Sequence, residues 1–243
     1  MNFRNTMVMV LVAISFLMLS ASAFAFEVGG AANVYLTNNY FWRITPLEVK
    51  DPYVQYDFSL STSIGKLEAS LTPWVSYKLD SKEVNEVDYT LDIGYPVGDL
   101  SINAGAIYYD VTGAPETTEV YGSAGYETEI GKLISLSPGV KFYYDVREVK
   151  KAYLEASLSL GTPLFSCVSL NSVFGYDFGQ FEIPDENGTP VAESKPTTLQ
   201  LGISADYEIT KGVTLSPSFT YVLGLHDGID NTSFAGFKFG FEF

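Results

Sequence analysis

Carboxylate side chains recur at alternate positions of segments that are otherwise rich in Ser, Thr, Gly and Asn. Because side chains alternate between the two faces of a β-strand, such positions share one face of each strand. Carboxylates along a narrow aqueous path attract cations and exclude anions. We therefore predict a negatively charged, lumen-lining face. Its acidic residues are Asp57, Glu68, Asp88, Asp92, Glu119, Glu155, Asp206 and Glu242, and its basic residues are Lys78, Lys141 and Lys238.

The lysines permit a structural role for part of this acidic face. Lys78 with Asp88, and Lys141 with Glu155, are placed to form cross-strand pairs that brace neighbouring strands. The other acidic residues would still lack a basic neighbour, so bracing and a negative interior are compatible. This balance favours a weakly cation-preferring pore over a closed barrel.

The long segment 38–52 carries one arginine among several apolar residues. Such a composition is unusual for an exposed loop. If the segment folds inward, Arg43 faces the interior carboxylates and forms a candidate constriction of the path. If it does not, its apolar residues extend the adjoining strands at the rim. The sequence leaves both arrangements open for Tyr40, Phe41, Trp42, Ile44 and Leu47.

Residues suited to catalysis or metal binding are few. His226 is the only histidine and lies in a turn-rich segment, whereas a lipid-facing hydrolase site needs a histidine beside a serine on a strand. Segments 185–188 and 227–231 lack the spacing of a calcium loop and contain the Asn-Gly and Asp-Gly pairs of turns. The single cysteine, Cys167, has no disulfide partner within the chain. We expect no enzyme activity, no cofactor and no metal.

The chain is acidic, with a formal net charge of −15. This charge argues against a nucleic acid as partner and provides a field that attracts cations. The composition does not change in character after the first 25 residues. We therefore expect a single domain over residues 26–243.

Twelve segments with alternating apolar and polar residues must position the acidic face. In one of them, Leu71 and Val75 share one face while Ser70 and Thr72 share the other. Most segments have the roughly 9–11 residues that a tilted strand needs to cross a membrane. The predicted strands are residues 30–37, 53–63, 67–79, 87–95, 100–109, 118–126, 133–145, 151–160, 165–178, 197–207, 213–223 and 233–243.

The connections between these strands alternate in length. Tight turns follow the even-numbered strands, and longer polar loops, led by 38–52 and 179–196, follow most of the odd-numbered ones. The short connection at 146–150 fits this pattern least well. An even strand count with short turns at one rim and long loops at the other is typical of outer-membrane barrels. We predict an all-β fold, a transmembrane antiparallel up-and-down β-barrel of about 12 strands with both termini periplasmic.

Both ends of the chain favour export to the bacterial outer membrane. In residues 1–25, Arg4 is followed by an apolar stretch that is too short to span a bilayer. This pattern predicts a signal peptide cleaved after Ala23 or Ala25. The terminal phenylalanine resembles the mark by which outer-membrane barrels are recognised for assembly. This resemblance implies the barrel-assembly machinery and periplasmic chaperones as partners. The C-terminal assembly signal consists of Phe237, Phe239, Phe241 and Phe243.

Five strands share an internal repeat in which an aromatic residue follows a Leu or Ile by six positions. The first four copies begin 31 to 34 residues apart, which indicates a chain built from hairpins. The repeated aromatic residues predict a girdle at one membrane interface, and further tyrosines predict a second girdle at the other. The first girdle is Tyr77, Tyr108, Phe142, Tyr176 and Tyr221, and the second is Tyr95, Tyr126 and Tyr207.

Three copies of the repeat contain a proline inside the strand, at Pro73, Pro138 and Pro217. Proline removes one hydrogen-bond donor from a β-ladder. The shared position of the three residues predicts a tolerated β-bulge at each.

A soluble β-sandwich or closed barrel shows the same alternation, with the apolar face as its core. Soluble surfaces usually carry Lys, Glu and Arg, whereas the polar face here is mainly Ser, Thr, Gly and Asn with scattered carboxylates. Small polar residues suit the interior of a pore, so the membrane barrel is the favoured interpretation.

The region 32–55 resembles the opening of the TorF-type porin-like family of proteobacteria. The resemblance is carried by Ala32-Asn33-Val34, Tyr40-Phe41-Trp42-Arg43, Pro52 and Gln55, and Ile44 stands where the family has glycine. It implies an outer-membrane porin-like protein with no assigned substrate and no catalytic residues.

Together these features predict a porin-like barrel in the lipid of the bacterial outer membrane. It would give passive diffusion of small, preferably cationic or neutral solutes through an acidic lumen. The alternative is a non-conducting barrel of the same fold that serves a structural or surface-interaction role.

Overall fold

The computed structural model describes residues 28–43, 45–48, 52–131, 133–162, 167–184 and 189–243. All regular structure in these ranges is β-strand. The predicted signal peptide, Ile44 and the segment 185–188 lie outside the described residues. The described residues contain no apolar helix of membrane-spanning length.

The strands follow one another along the chain with short connections at one end of the molecule and longer connections at the other. They are β1 (Val28–Thr37), β2 (Tyr40–Trp42), β3 (Thr45–Glu48), β4 (Tyr53–Ile64), β5 (Leu67–Lys78), β6 (Glu83–Val97), β7 (Leu100–Val111), β8 (Thr117–Tyr126), β9 (Thr128–Ile130), β10 (Ile134–Asp145), β11 (Ala152–Gly161), β12 (Val168–Phe178), β13 (Ile183–Pro184), β14 (Pro190–Val191), β15 (Ser194–Ala205), β16 (Tyr207–Thr210), β17 (Val213–Gly224) and β18 (Thr232–Glu242).

Fourteen of these strands form one antiparallel sheet that closes on itself. The short strands β9 and β16 continue β8 and β15 along the wall, so the barrel has 12 wall strands. The sheet closes because β1 pairs with β4 on one side and with β18 on the other. Gly30 and Phe243 exchange two backbone hydrogen bonds of 3.0 Å at this seam. The predicted closed antiparallel barrel is confirmed.

The two faces of each wall strand differ in exposure and chemistry. On β8, Val120 and Tyr126 are 43% and 44% exposed, whereas Glu119 and Tyr121 are 1% and 7% exposed. On β18, Phe237 and Phe241 are also exposed, and Lys238 lies between them on the opposite face. The period of two therefore puts apolar side chains outside the barrel and polar or tyrosine side chains inside it.

Glycine forms the tight connections at one end of the barrel. Gly65 and Gly98 both have φ of 65°, a left-handed conformation that glycine adopts without steric cost. They connect β4 to β5 and β6 to β7. We call this end, where β1 begins and β18 finishes, the turn end, and we call the opposite end the loop end.

The three strand prolines lie beside gaps in the ladder, and the β-bulge predicted at each is wrong. Next to Pro73, the β4–β5 ladder skips two pairs and resumes in the same register. Pro138 and Pro217 lie beside equivalent gaps, at the β8–β9 and β15–β16 junctions. Proline has no N–H, so the ladder opens on one side of the strand only. Pairing on the other side continues, as in Pro73 with Tyr89.

Candidate functional site

The segment after β1 folds back as the hairpin β2–β3 and lies inside the barrel. Tyr40 contacts Tyr53 on β4 and Trp74 on β5, with ring centroids 5.6 and 5.7 Å apart. Phe41 stacks on Phe234 of β18 at 6.1 Å. A single hairpin reaches strands on several sides of a closed barrel only through its interior. For Tyr40, Phe41 and Trp42, the structure shows the inward one of the two arrangements that the sequence left open, whereas the side chain of Leu47 lies outside the description.

Arg43, at the tip of this hairpin, forms an ion pair with the wall. Its Nη1 and Nη2 donate to the two carboxylate oxygens of Glu119 at 2.7 and 2.6 Å. Nη1 also donates to Gln180 Oε1 at 3.1 Å. The Thr198 hydroxyl donates to the Arg43 carbonyl oxygen at 3.2 Å. Arg43 and Glu119 are only 5% and 1% exposed, so this is a buried bidentate pair with its hydrogen bonds satisfied.

Aromatic rings surround the guanidinium of Arg43. Its central carbon lies 4.7 Å from the ring centroid of Trp42, 4.1 Å from that of Tyr143 and 5.0 Å from that of Tyr153. These are cation–π distances. Burial by itself lowers the pKa of Arg43, but the hydrogen bonds to Glu119 raise it above its ordinary value. The arginine therefore stays charged.

The backbone at Arg43 also departs from ordinary geometry, with φ of 53°. A residue with a side chain rarely adopts this left-handed conformation, which costs free energy of about 1–2 kcal/mol. The hydrogen bonds to Glu119 and Thr198 together hold Arg43 in this conformation. Strain held in this way is often found where a side chain has a functional role.

Tyr40 attaches the other side of the hairpin to β6. Its hydroxyl donates to Glu86 Oε2 at 2.9 Å, and Glu86 is only 4% exposed. Burial, followed by the nearby Glu86 charge, raises the pKa of Tyr40 well above its ordinary value. The phenol therefore remains a neutral donor to the carboxylate.

A cavity of about 420 Å³ lies between the hairpin and the wall. Its lining combines aromatic rings with carboxylates from several wall strands. The lining residues are Tyr40, Phe41, Trp42, Arg43, Asp57, Thr72, Trp74, Asp88, Thr90, Ile107, Tyr109, Tyr143, Glu155 and Gln200. A second cavity of about 370 Å³ lies next to β1, β17 and β18, and its lining includes Asp206 and Lys238.

Interior carboxylates accept hydrogen bonds from tyrosines, a pattern that the sequence reasoning missed. The wall tyrosines and Glu86 share the strand faces of the predicted lining residues, so the period of two contained the signal. The sequence pattern predicts wall tyrosines only on the outer face, and the predicted strand 87–95 begins after Glu86. The pairs are Tyr35–Asp57 at 2.8 Å, Tyr40–Glu86 at 2.9 Å, Tyr109–Glu119 at 2.9 Å, Tyr143–Glu155 at 2.9 Å, and Tyr121–Asp92.

The predicted acidic residues occupy different depths. Asp57, Asp88 and Glu155 line the larger cavity, and Glu119 binds Arg43. Asp92 accepts hydrogen bonds from Asn103, at 2.8 Å, and from Tyr121. The remaining three are exposed residues of the turn end, Glu68, Asp206 and Glu242.

The predicted pairing of Lys78 with Asp88 is wrong. Lys78 lies opposite Tyr53 and Glu83 in the ladders, whereas Asp88 lies opposite Trp74 and Tyr109. The reason is that β6 begins at Glu83, four positions before the predicted start. The connection from β5 is therefore shorter than predicted, and Glu83 takes the place opposite Lys78.

The other two predicted lysines lie beside acidic or polar neighbours. Lys141 is opposite Glu155 in the β10–β11 ladder, and its Nζ lies 3.8 Å from the Tyr121 ring centroid. Lys238 is opposite Tyr35 and Ser216.

The predicted girdle residues lie near the two ends of the wall strands. Tyr77, Tyr108, Phe142, Tyr176 and Tyr221 are one to three residues from the loop ends of β5, β7, β10, β12 and β17. Tyr95, Tyr126 and Tyr207 lie at the turn end, 44–51% exposed. Phe243 stacks on Phe58 at 5.9 Å beside the seam.

The remaining candidate residues lie in connections. His226 is in the turn after β17, with Nε2 3.0 Å from Lys195 Nζ. The Asn231 side chain accepts the Gly224 N–H at 2.9 Å. Cys167 precedes β12, and its carbonyl oxygen accepts the Asp206 N–H at 2.6 Å. The described residues contain no group of three or more His, Cys, Asp or Glu side chains arranged to hold a metal ion.

Two solved structures of outer-membrane proteins resemble this barrel. The COG4313 outer membrane channel from Pseudomonas putida F1 superposes with a TM-score of 0.57 and 11% identity, over 89% of this chain and 95% of that chain. The NanC porin superposes with a TM-score of 0.53 and 11% identity, over 87% and 98%. No family model and no curated protein sequence matches the chain. The fold is therefore that of outer-membrane channel barrels.

Proposed function

We propose that this protein is an outer-membrane channel through which small, preferably cationic or neutral solutes diffuse. The observation that carries the proposal is a closed barrel with an apolar exterior and interior carboxylates at several depths. Carboxylates in a narrow aqueous path lower the energy of cations and raise that of anions. The likeness to outer-membrane channels supports the same role through the fold.

The hairpin β2–β3 is the constriction of this channel. Arg43 lies across the interior at the loop end, held by Glu119, and the cavities leave space beside the hairpin. Interior segments of this kind set the size limit of a pore because the wall strands alone leave a wider opening. Solutes would pass close to Asp57, Asp88 and Glu155.

Several sequence features complete this proposal. Residues 1–25 act as the signal peptide, and both termini face the periplasm. The phenylalanines of β18 serve the barrel-assembly machinery and periplasmic chaperones. The two aromatic girdles contact the interfaces of the lipid bilayer. The TorF-type resemblance in region 32–55 supports the porin-like assignment.

The proposal is tested by recording currents from the purified protein in planar bilayers under a salt gradient. We expect channel steps and a reversal potential on the cation side. Asp57→Lys, Asp88→Lys and Glu155→Lys should each move the reversal potential toward the anion side. Glu148→Lys, an exposed change in the 146–150 connection, is the matched control and should not. Unchanged selectivity in all three interior variants would refute the assignment of these carboxylates to the path.

A non-conducting barrel is the second candidate, and the buried contacts of the hairpin favour it. Arg43 and Tyr40 are 5% and 9% exposed, which shows how closely the hairpin packs on the wall. Such a barrel would serve a structural or surface role through its loops. It predicts no channel steps for the wild-type protein or for variants in which the hairpin has lost its anchors.

A further inference from the structure

The larger cavity combines aromatic surface with negative charge. Trp42, Trp74, Tyr109 and Tyr143 contribute rings to its lining, and Thr72 contributes a polar group from the wall. Its volume of about 420 Å³ is within the range of small-molecule sites in proteins. The lining therefore offers both dispersion contacts and electrostatic attraction to one small ligand.

The charges of the lining residues do not balance. Three carboxylates, from Asp57, Asp88 and Glu155, line the cavity, and Arg43 is the one basic residue among them. The guanidinium of Arg43 already donates to both oxygens of Glu119. Its charge is therefore matched by a fourth carboxylate. Lys141 lies opposite Glu155 in the β10–β11 ladder, so Asp57 and Asp88 are the two acidic residues of the cavity that no basic residue of its lining matches.

One carboxylate oxygen in the cavity lacks a partner. Asp88 Oδ1 is buried and accepts no hydrogen bond within the part of the chain that the structure describes. By contrast, Asp57 accepts from Asn33 and Tyr35, and Glu155 accepts from Tyr143. A buried polar atom without a partner carries a desolvation cost that a bound donor or cation removes.

Two cationic side chains of the protein already make cation–π contacts with aromatic rings in the interior. The guanidinium of Arg43 lies against Trp42 and Tyr143, and the ammonium of Lys141 lies 3.8 Å from the Tyr121 ring centroid. The same interior therefore stabilises a guanidinium and a primary ammonium through ring faces. Trp74 and Tyr109 present further rings to the cavity next to Asp88, which is opposite both in the ladders.

We propose that this cavity binds small organic ammonium ions, with the charged nitrogen near Asp88 and Asp57 and the alkyl groups against Trp74 and Tyr109. Ring faces and carboxylates together favour an organic cation over an anion of the same size. As a statement about the transported solute, this inference rests on the proposed channel function. As a statement about binding, it rests on the cavity alone.

The chain contains only two tryptophans, and both line the cavity. Tryptophan fluorescence of the detergent-solubilised full-length protein therefore reports on this site without added labels. Choline chloride is the probe, and 3,3-dimethylbutan-1-ol, which has a neutral carbon in place of the charged nitrogen, is the matched ligand. Sodium chloride at equal ionic strength controls for screening.

We expect a saturable fluorescence change with choline and none with the neutral analogue or with sodium chloride. Asp88→Asn should weaken choline binding about tenfold, the effect of losing one charge-assisted contact. Asp206→Asn, which removes an exposed carboxylate of the other cavity, should leave it unchanged. Equal responses to choline and its neutral analogue, or equal binding by the wild-type and Asp88→Asn proteins, would overturn the proposal.

Recording currents from the same preparation separates this inference from the channel proposal. Saturable choline binding without channel steps would retain the site and refute the channel. Channel steps without saturable binding would retain the channel and refute the site. If both are correct, choline should reduce the sodium current of the wild-type protein at concentrations that saturate the fluorescence change, and it should do so less in Asp88→Asn.

Discussion

The loop end and the turn end of the barrel interior are built from the same alternating strands but contain different chemistry. At the loop end, Glu86, Glu119, Asp145 and Asp177 are all 0–4% exposed. The carboxylates of the turn end, Glu68, Asp206 and Glu242, are exposed. The strand pattern alone therefore does not determine whether an inward carboxylate is buried or exposed.

The difference comes from the groups that cover the loop end. Arg43 and Tyr40 of the hairpin supply donors to Glu119 and Glu86. Backbone N–H groups of residues 147–150 point at Asp145 Oδ1, at 2.9–3.5 Å. Burial of a carboxylate is tolerated where such donors are present. The comparison teaches that the inserted hairpin and the loops, rather than the wall, close the interior.

Removing the cation of the hairpin should give the largest effect. Arg43→Ala leaves Glu119 buried without its ion-pair partner, which should lower the free energy of unfolding by about 3–5 kcal/mol. Urea unfolding in lipid vesicles, followed by tryptophan fluorescence, measures this change.

The matched control is Arg147→Ala at the surface. Arg147 and Glu116 are 4.0 Å apart and both side chains are about half exposed. Loss of this pair should cost at most about 1 kcal/mol. If the two alanine variants have equal stability, the loop end is not held together by Arg43.

Adding a side chain at Gly105, where neighbouring atoms lie very close, should have an intermediate effect on stability. A Cβ there would lie 2.5 Å from the Tyr121 ring and would also meet the backbone oxygen of Leu91. Gly105→Ala should therefore lower the free energy of unfolding by about 1–3 kcal/mol, since a backbone atom cannot move aside cheaply.

The corresponding control is Gly122→Ala on the outer face of β8, where the nearest atom to a new Cβ is 3.9 Å away. It should be neutral or slightly stabilising, because alanine restricts the unfolded chain more than glycine does. A larger loss of stability in Gly122→Ala than in Gly105→Ala would contradict the described packing of the interior.

Deleting one hydroxyl at the hairpin should have the smallest of these effects. Tyr40→Phe removes the donor to the buried Glu86, which should cost about 1–2 kcal/mol. Tyr207→Phe at the turn end, where the ring is 51% exposed, should cost less than about 0.5 kcal/mol. The same urea titration compares the two variants, and the prediction fails if Tyr207→Phe is the more destabilised.

The barrel itself was predictable because the wall strands expose one apolar face and enclose one polar face. That requirement produces a period of two in the sequence, as in the alternating phenylalanines of β18. Strand ends were less predictable. A register shift between Ser76 and Tyr77 of the β5–β6 ladder leaves Asn85 without a partner on β5 and interrupts the alternation at the start of β6. The period of two therefore predicts the beginning of this strand four residues too late.

The candidate site was only partly predictable. Periodicity assigns a side chain to a face, and it identified Asp57 and Glu119 as interior residues. It does not indicate that a connecting segment such as β2–β3 returns to the interior, because that depends on partners distant in sequence. Arg43 and Glu119 are 76 residues apart, and Arg43 and Gln180 are 137 residues apart. The four wall tyrosine donors, Tyr35, Tyr109, Tyr121 and Tyr143, were identifiable from their strand faces alone, whereas Tyr40 was not, because it lies on the hairpin.

The central claim is that the hairpin narrows a water-filled barrel, and single-channel conductance tests it most directly. Residues 40–48 are replaced by a four-residue Gly-Ser linker, which keeps the β1–β4 ladder from Thr37 and Tyr53 downward intact. The account predicts a clearly larger conductance than that of the wild-type protein, with the same folded-barrel migration on unheated gels. An equal conductance in both proteins, with the barrel intact, would contradict it.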